Sequence, residues 1–319
     1  MSTNPLRILA SIADVCDDAN ATVAFHVRSL DGNLEIGSGA DARSVTASTY
    51  KVPVMLEVAA QASEGRIQLA DRIKVPADRR TIGPSGISAM TDEVEVSIRD
   101  LALLMMQVSD NTATDILQEM VGTENIMSRL RALGLNSTSI TTDCEGIISL
   151  ALQELSTDEY ATLQNTSTGN PFGLPEDEFV AAIAAGESLN ARGGNTSTPR
   201  EMTELLSLIW TDKAADAEAC AEVRRVMGLQ FAPHRLSSAY VDGPTISGKT
   251  GTFLAGVRNE VGVVDFGDEG LYVVAIFLRD KNNYMRNSKV DAAIGKIAAL
   301  AIDSLRNASR DAAATAVTA

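Results

Sequence analysis

Three short stretches of this chain carry side chains whose types and spacing suit nucleophilic catalysis. In Ser48-Thr49-Tyr50-Lys51 a hydroxyl and an amine stand three residues apart, which on a helix puts them on one face. A serine becomes a nucleophile when a base takes its proton. A lysine can be that base where burial or a second cation makes its ammonium less stable than in water. The start of a helix also offers backbone N–H groups to a developing oxyanion. Taken singly, the tetrapeptide reads equally as a helix cap with a solvated lysine. Ser109-Asp110-Asn111 follows an apolar stretch. It reads either as helix-capping chemistry or as a relay, with Ser109 passing a proton to a leaving nitrogen and Asn111 clamping substrate and lysine. Gly248-Lys249-Thr250-Gly251-Thr252 is either a glycine-flanked turn or a strand edge that a substrate backbone can approach closely, with Lys249 supplying positive potential and Thr252 a hydroxyl. Arg258, nine residues beyond Lys249, adds a guanidinium suited to a substrate carboxylate.

The elements that must position these groups follow from periodicity and punctuation. A short helix is expected over 7–16, then a hairpin of Thr22–Leu30 and Leu34–Ser38 about Asp31-Gly32-Asn33. A helix from Ser48 to about Ser63 carries the first motif, with Pro53 in its early turns and Glu64-Gly65 closing it. Helical spacing recurs at Ser97–Val108, Asn111–Val121, Glu124–Leu133, Pro199–Trp210 and Cys220–Gln230. Strands return at Thr245–Ser247, Asn259–Phe266 and Leu271–Leu278, before a helix over Lys289–Leu305 and a mobile Ala/Thr tail from Ser309. Strands thus lie at both ends of the sequence and helices fill the middle. An α/β (α+β) fold satisfies that order: one antiparallel sheet built from both chain ends, flanked by helices, with an all-helical subdomain inserted. The expected organisation is an N-terminal helix over 1–20, a sheet subdomain from about 21–50 and 240–308, a helical subdomain from about 51–239, and the tail at 309–319.

Composition narrows the function. The chain has 319 residues and 42 Asp+Glu against 27 Lys+Arg, a formal charge of −15 that would repel phosphate backbones, which argues against nucleic-acid partners. With 45% apolar residues it is neither disordered nor membrane-integral, and no apolar run approaches a span. Cys16, Cys144 and Cys220 are scattered, the pattern of reduced structural thiols rather than of a disulfide framework or a zinc site. His26 falls in an alternating, strand-like run, and neither it nor His234 has a His or Cys neighbour at ligand spacing. No G-x-S-x-G elbow is present, so the base of a serine enzyme here is expected not to be histidine. Residues 1–20 show no basic start or long apolar core, so as written the chain reads as cytoplasmic, or as exported if a leader has been removed. No metal or cofactor is expected; the partner is a small carboxylate-bearing substrate, and the chain is expected to be a monomer.

The three motifs in this order, on helix, helix and strand, resemble the class A β-lactamase-like serine hydrolases, which share S-x-x-K, S-D-N and K-T-G elements with penicillin-binding proteins. The likeness spans about residues 20 to 305, including Ala47–Val54, Ser109–Thr114 and Asn195–Pro199. The resemblance implies that Ser48 is acylated, with Lys51 as base or relay, Ser109 passing the proton and Asn111 holding substrate. It implies that Lys249, Thr250, Gly251 and Thr252 fix the substrate carboxylate together with Arg258, and that the N–H groups of Ser48 and Thr252 form the oxyanion hole. It also implies a loop glutamate, in E-x-x-L-N, that activates the deacylating water. Here the nearest string is Glu187-Ser188-Leu189-Asn190, one residue short. That displaces a carboxylate by about 3 Å, which makes Glu187 a weak match for the deacylation base. The expected activity is β-lactamase-type amide cleavage. The alternatives are a D-Ala-D-Ala-type peptidase or an esterase with slow deacylation, and a non-catalytic binding module with the same pocket.

Overall fold

The computed structural model describes residues 4–153, 194–240, 243–284 and 286–318. Helix α1 (Pro5–Asp18) starts where Asn4 accepts a hydrogen bond from Leu6 N and proline occupies the first turn. Strands β1 (Ala21–Ser29) and β2 (Glu35–Ser38) form the expected hairpin. After a two-residue strand β3 (Ser44–Val45) come a 3₁₀ turn, Ala47–Tyr50, and helix α2 (Lys51–Ser63). A small hairpin of β4 (Arg72–Val75) and β5 (Val94–Ser97) precedes α3 (Ile98–Gln107), α4 (Asn111–Val121), α5 (Thr123–Ala132) and α6 (Cys144–Gln153). Beyond residue 193, β6 (Thr196–Ser197) pairs with β3, and α7 (Pro199–Trp210) and α8 (Ala217–Met227) lead to three long strands, β7 (Thr245–Phe253), β8 (Val257–Asp265) and β9 (Leu271–Asp280). Helix α9 (Ser288–Thr318) ends the described chain.

The main sheet is antiparallel throughout, in the order β2-β1-β9-β8-β7. It is therefore built from both ends of the sequence, as the order of elements requires. Its central strand shows why the fold has layers. In β9, Tyr272, Val274, Ile276 and Leu278 join Phe25, Val27 and the inner faces of α1 and α9. Val273, Ala275 and Phe277 point the other way, into the core shared with α2 to α5, α7 and α8. Both faces are covered, so β9 reads as a nearly continuous apolar run instead of an alternating one.

Helix α2 is the axis of the helical layer: every residue from Lys51 to Gln61 is buried. The turn before it and the strand edge beside it carry the first and third motifs. Glu57, 1% exposed, accepts from Arg129 Nε on α5 at 2.6 Å and from Gln61 Nε2 at 2.8 Å. This buried pair ties α2 to α5.

Several elements differ from expectation for identifiable reasons. Strand β7 runs to Phe253, so Gly248–Thr252 lies inside an edge strand and not at its end; pairing with β8 from Thr245↔Asp265 to Phe253↔Val257 overrides the two glycines. Helix α8 begins earlier because Asp216 accepts from Ala219 N at 2.8 Å. Helix α9 continues to Thr318, past the end expected at Leu305; the alanines of residues 312–316 are strong helix formers. The short pairs β3–β6 and β4–β5 are too brief to leave a periodic signal. Arg129→Ala should cost about 2 kcal/mol by stranding the buried Glu57 carboxylate, with Arg66 at 3.6 Å a partial substitute. Urea unfolding of the variant against the native chain measures it.

Candidate active site

The nucleophile candidate stands at a turn that three contacts hold in place. Thr46 N donates to Asn195 O at 3.0 Å, and Asn259 Nδ2 on β8 donates to Val45 O and Thr46 O at 2.8 and 3.1 Å. Thr49 Oγ1 closes the turn onto Thr46 O at 2.8 Å. Between them Ala47 takes φ +46°, a left-handed conformation costly for alanine. The strain aims the 3₁₀ turn that begins there. With three residues per 3₁₀ turn, Ser48 and Lys51 eclipse one another on one face.

Lys51 is fully buried at the start of α2. Its Nζ donates to Ser109 O at 2.8 Å, to Ser109 Oγ at 3.2 Å and to Asn111 Oδ1 at 2.9 Å. Ser109 itself is left-handed, φ +61°, which turns both its carbonyl and its hydroxyl toward the lysine. Asn111 is anchored at its other end, donating from Nδ2 to Ile82 O at 2.7 Å. Asp110 plays the structural part: fully buried, it accepts from Ala113 N, Ile87 N and Ser88 Oγ and caps α4. Asp110 thus does the capping, while Ser109 and Asn111 turn to Lys51. Burial holds the Lys51 ammonium below the ordinary lysine pKa, against an opposing pull from Cys144, Asp115 and Asp110.

The strand edge lies directly against the nucleophile's turn. A methyl group on Gly251 would sit 2.8 Å from Thr46 O and 3.2 Å from Ser48 N; this close approach is what the glycine of Lys249-Thr250-Gly251 permits. Lys249 is fully buried and donates to Thr250 O at 2.8 Å. Burial, then the nearby Lys51 and Arg235, push its pKa well down. Thr252 is exposed and Thr250 half-buried, open to a ligand.

The expected arginine and the one found beside Thr252 differ. Arg258 is opposite Thr252 in the strand register, yet its guanidinium donates to Val257 O and Tyr284 O and lies 3.7 Å from Asp291. Arg235, in the segment between α8 and β7, donates to Thr252 Oγ1 at 2.6 Å, Gly251 O at 3.1 Å and Asn259 O at 3.0 Å. Asp291 on α9 accepts from Arg235 Nε at 2.8 Å. No local pattern marks Arg235; it reaches the strand edge by tertiary packing. The same segment is braced by Glu260, which accepts from Leu236 N at 2.6 Å and Gln230 Nε2 at 3.0 Å, while Gln230 Oε1 accepts from Thr250 N at 2.7 Å.

The expected deacylation residue Glu187 lies outside the described residues, as do the other acids of the Pro-flanked stretch before it, Glu176, Asp177 and Glu178. His26 is a buried strand residue joined to Thr203 Oγ1 at 2.6 Å and beside Glu35 and Arg200, and His234 is exposed. The three cysteines are free and buried. Among the described residues no cluster could hold a metal, and no helix is long and apolar enough to cross a membrane.

Together these features bring a hydroxyl, a buried amine, a second hydroxyl and a cationic strand edge to one place on a sheet covered by helices on both faces. The chain belongs to the beta-lactamase enzyme family, whose model matches residues 7–305. It is 28% identical over 324 residues to a beta-lactamase regulatory protein, BlaB, of Streptomyces cacaoi, covering 95% of this chain and 99% of that one. Its fold is similar to that of a beta-lactamase from Sphaerobacter thermophilus, with TM-score 0.72 and 24% identity over 93% of this chain and 96% of that one. It is similar also to PBP-A, with TM-score 0.71 and 19% identity over 94% and 96%.

Burial also lifts Glu260 from its ordinary 4.5 to about 7. The folded state thus favours the neutral acid, so its contribution to stability is full below pH 4.5 and is lost as pH rises through about 7. The native chain should lose stability relative to Glu260→Gln across that window. Paired urea titrations at several pH values check the slope.

Proposed function

We propose that this chain is a serine hydrolase that forms an acyl-Ser48 intermediate and opens cyclic amides of the β-lactam type. The observation that carries this reading is the buried Lys51 amine, which lies one 3₁₀ turn from Ser48 and bonds both the Ser109 hydroxyl and the Asn111 amide. An amine kept below its ordinary pKa can take the Ser48 proton as Oγ attacks the carbonyl. Ser109 then hands a proton from Lys51 to the leaving nitrogen. The N–H groups of Ser48 and Thr252 receive the oxyanion, and Lys249, Arg235 and the Thr250 and Thr252 hydroxyls bind the substrate carboxylate.

A second reading keeps the pocket and changes its use. The relative named as a beta-lactamase regulatory protein matches nearly end to end, which favours a ligand-sensing role in which acylation or binding, not turnover, is the output. A penicillin-binding peptidase or an esterase with slow deacylation uses the same first step.

Intact-protein mass spectrometry after mixing with a penicillin tests the reading. One adduct should form, map to Ser48 and vanish in Ser48→Ala; an adduct elsewhere defeats the mechanism. Product should appear as a burst of one equivalent followed by a slow steady rate. Lys51→Ala should lower kcat and kcat/KM together by roughly 10²–10⁴-fold. Arg235→Ala should raise KM for carboxylate-bearing substrates by on the order of tenfold more than for neutral esters. Arg258→Ala should separate the two substrate types much less, because the guanidinium bonded to Thr252 Oγ1 is that of Arg235.

A further inference from the structure

An acylating serine needs its oxyanion donors at a fixed separation, and here the two donors belong to different parts of the chain. Ser48 N lies in the 3₁₀ turn before α2, whereas Thr252 N lies on β7. Bonds within the turn cannot set the distance between them. Thr49 Oγ1 and Thr49 N both donate to Thr46 O, at 2.8 and 3.2 Å, which shapes the turn without attaching it to anything. Thr46 N and Thr46 Oγ1 donate to Asn195 O, each at 3.0 Å, which ties the turn to the segment before α7 and not to the main sheet. Gly251 lets β7 come close, since even a methyl group there would meet Thr46 O at 2.8 Å. A glycine permits an approach; it does not supply the attraction that maintains one.

Asn259 supplies that attraction. It is buried on β8, directly opposite Gly251 in the strand register. Its Nδ2 donates to Val45 O at 2.8 Å and to Thr46 O at 3.1 Å. Only the NH2 end of an amide can face two carbonyl oxygens, and both of its hydrogens are then used. The two carbonyls point the same way because Thr46 is helical, with φ −73° and ψ −26°. Ala47 then turns back through φ +46°, in the left-handed region that alanine avoids. The main-chain oxygen of Asn259 accepts from Arg235 Nη1 at 3.0 Å. Side chain and main chain thus serve different parts of the pocket: the amide holds the turn of Ser48, and the carbonyl holds the arginine beside Thr252.

Resting on the acyl-Ser48 reading, we propose that Asn259 is a positioning residue for the oxyanion hole: its amide pulls the strained Ala47 turn onto the sheet and so sets the separation of Ser48 N from Thr252 N. The left-handed conformation at Ala47 is held by this clamp. Without the two bonds the turn leaves that region and draws back from β7. Ser48 then keeps its lysine, three residues on in the same turn, but its N–H loses alignment with the strand. Substrate still binds, because Arg235 keeps its bond to the main-chain oxygen of residue 259, while attack on the bound carbonyl slows.

The test is single-turnover acylation by a penicillin in the native chain and in Asn259→Leu, Asn259→Asp and Asn259→Ser, each with and without Ala47→Gly, together with a crystal structure of Asn259→Leu. Asn259→Leu removes both donors at similar volume, Asn259→Asp sets a carboxylate against two carbonyl oxygens, and Asn259→Ser keeps one donor. The first two should lower the acylation rate constant at saturating penicillin by on the order of 10²-fold. The half-saturating concentration should change by less than about threefold, and Asn259→Ser should fall between these variants and the native chain. Glycine carries no penalty in the left-handed region, so adding Ala47→Gly to Asn259→Leu should recover roughly tenfold of the loss, after subtraction of its effect in the native chain. Residue 47 should leave the left-handed region in the Asn259→Leu crystals. A native acylation rate in a folded Asn259→Leu overturns the proposal, even if thermal stability falls. So does a loss carried by half-saturation instead of rate, or one that Ala47→Gly does not reduce. If no adduct reaches Ser48 even in the native chain, the acyl-serine reading itself fails; the clamp is then judged by the crystals, and a left-handed Ala47 in Asn259→Leu overturns it. Should Asn259→Leu and Asn259→Asp fail to fold, the rate of Asn259→Ser and its recovery by Ala47→Gly decide, a native rate counting against the proposal.

Discussion

The arrangement of the whole molecule depends on one buried cation. Lys51 places its ammonium where no water reaches, held by Ser109 O, Ser109 Oγ and Asn111 Oδ1. Removing a charged amine from water is costly unless its protons are taken up. All three acceptors come from residues 109–111, so the interaction joins the central helix α2 to the start of α4. The left-handed Ser109 is tolerable only because this join over-determines it. Chemistry and packing meet at the same atoms: the bonds that make burial of the amine possible are those that put a hydroxyl and an amide within its reach.

The sheet contributes the opposite wall by similar means. Strand β7 is the edge of the main sheet, and an edge strand ordinarily exposes unpaired backbone groups. Here the edge is packed against the turn of Ser48, with Gly251 giving the space. Arg235 then bridges Gly251 O, Asn259 O and Thr252 Oγ1, and Asp291 on α9 anchors the guanidinium from behind. The N-terminal half of the chain supplies Ser48, Lys51 and Ser109 and the C-terminal half supplies the cationic edge, so the two halves meet beside a sheet assembled from both ends.

Much of this was legible before any coordinates. Ser48, Lys51, Ser109, Asn111 and Lys249 announce themselves because each lies in a compact motif whose spacing has a local mechanical meaning. The long strands and helices are legible for the same reason, since a periodic apolar face extends over many residues. Arg235 and Cys144 were not. Arg235 sits in an irregular segment with no periodicity, and what brings it to Thr252 is Glu260, Gln230 and Asp291, contacts of 24 and 56 residues' separation for Glu260 and Asp291. Cys144 read as an inert thiol, and chemically it is one; its place beside Lys51 depends on Asp115 binding the first N–H groups of α6, a tertiary fact. The spacing of Arg258 suggested a carboxylate partner, but register places only the Cα opposite Thr252, and the side chain's hydrogen bonds then go to Val257 O and Tyr284 O.

A chain of charge −15 that gathers cations at one place must keep its many carboxylates from neutralising them. The structure does so by engaging the acids around the pocket with other donors. Asp110 caps a helix, Asp115 holds the start of α6, Glu260 braces the Arg235 segment, and Asp291 takes Arg235 from the side away from Thr252. Each acid thereby lowers the cost of burying its own neighbours without closing an ion pair on Lys51. Burial keeps the Lys51 amine below its ordinary pKa although Asp115 and Asp110 pull the other way, and among the described residues these two carboxylates are already bonded to other donors. The contacts that fold the walls of the pocket thus also decide its electrostatics.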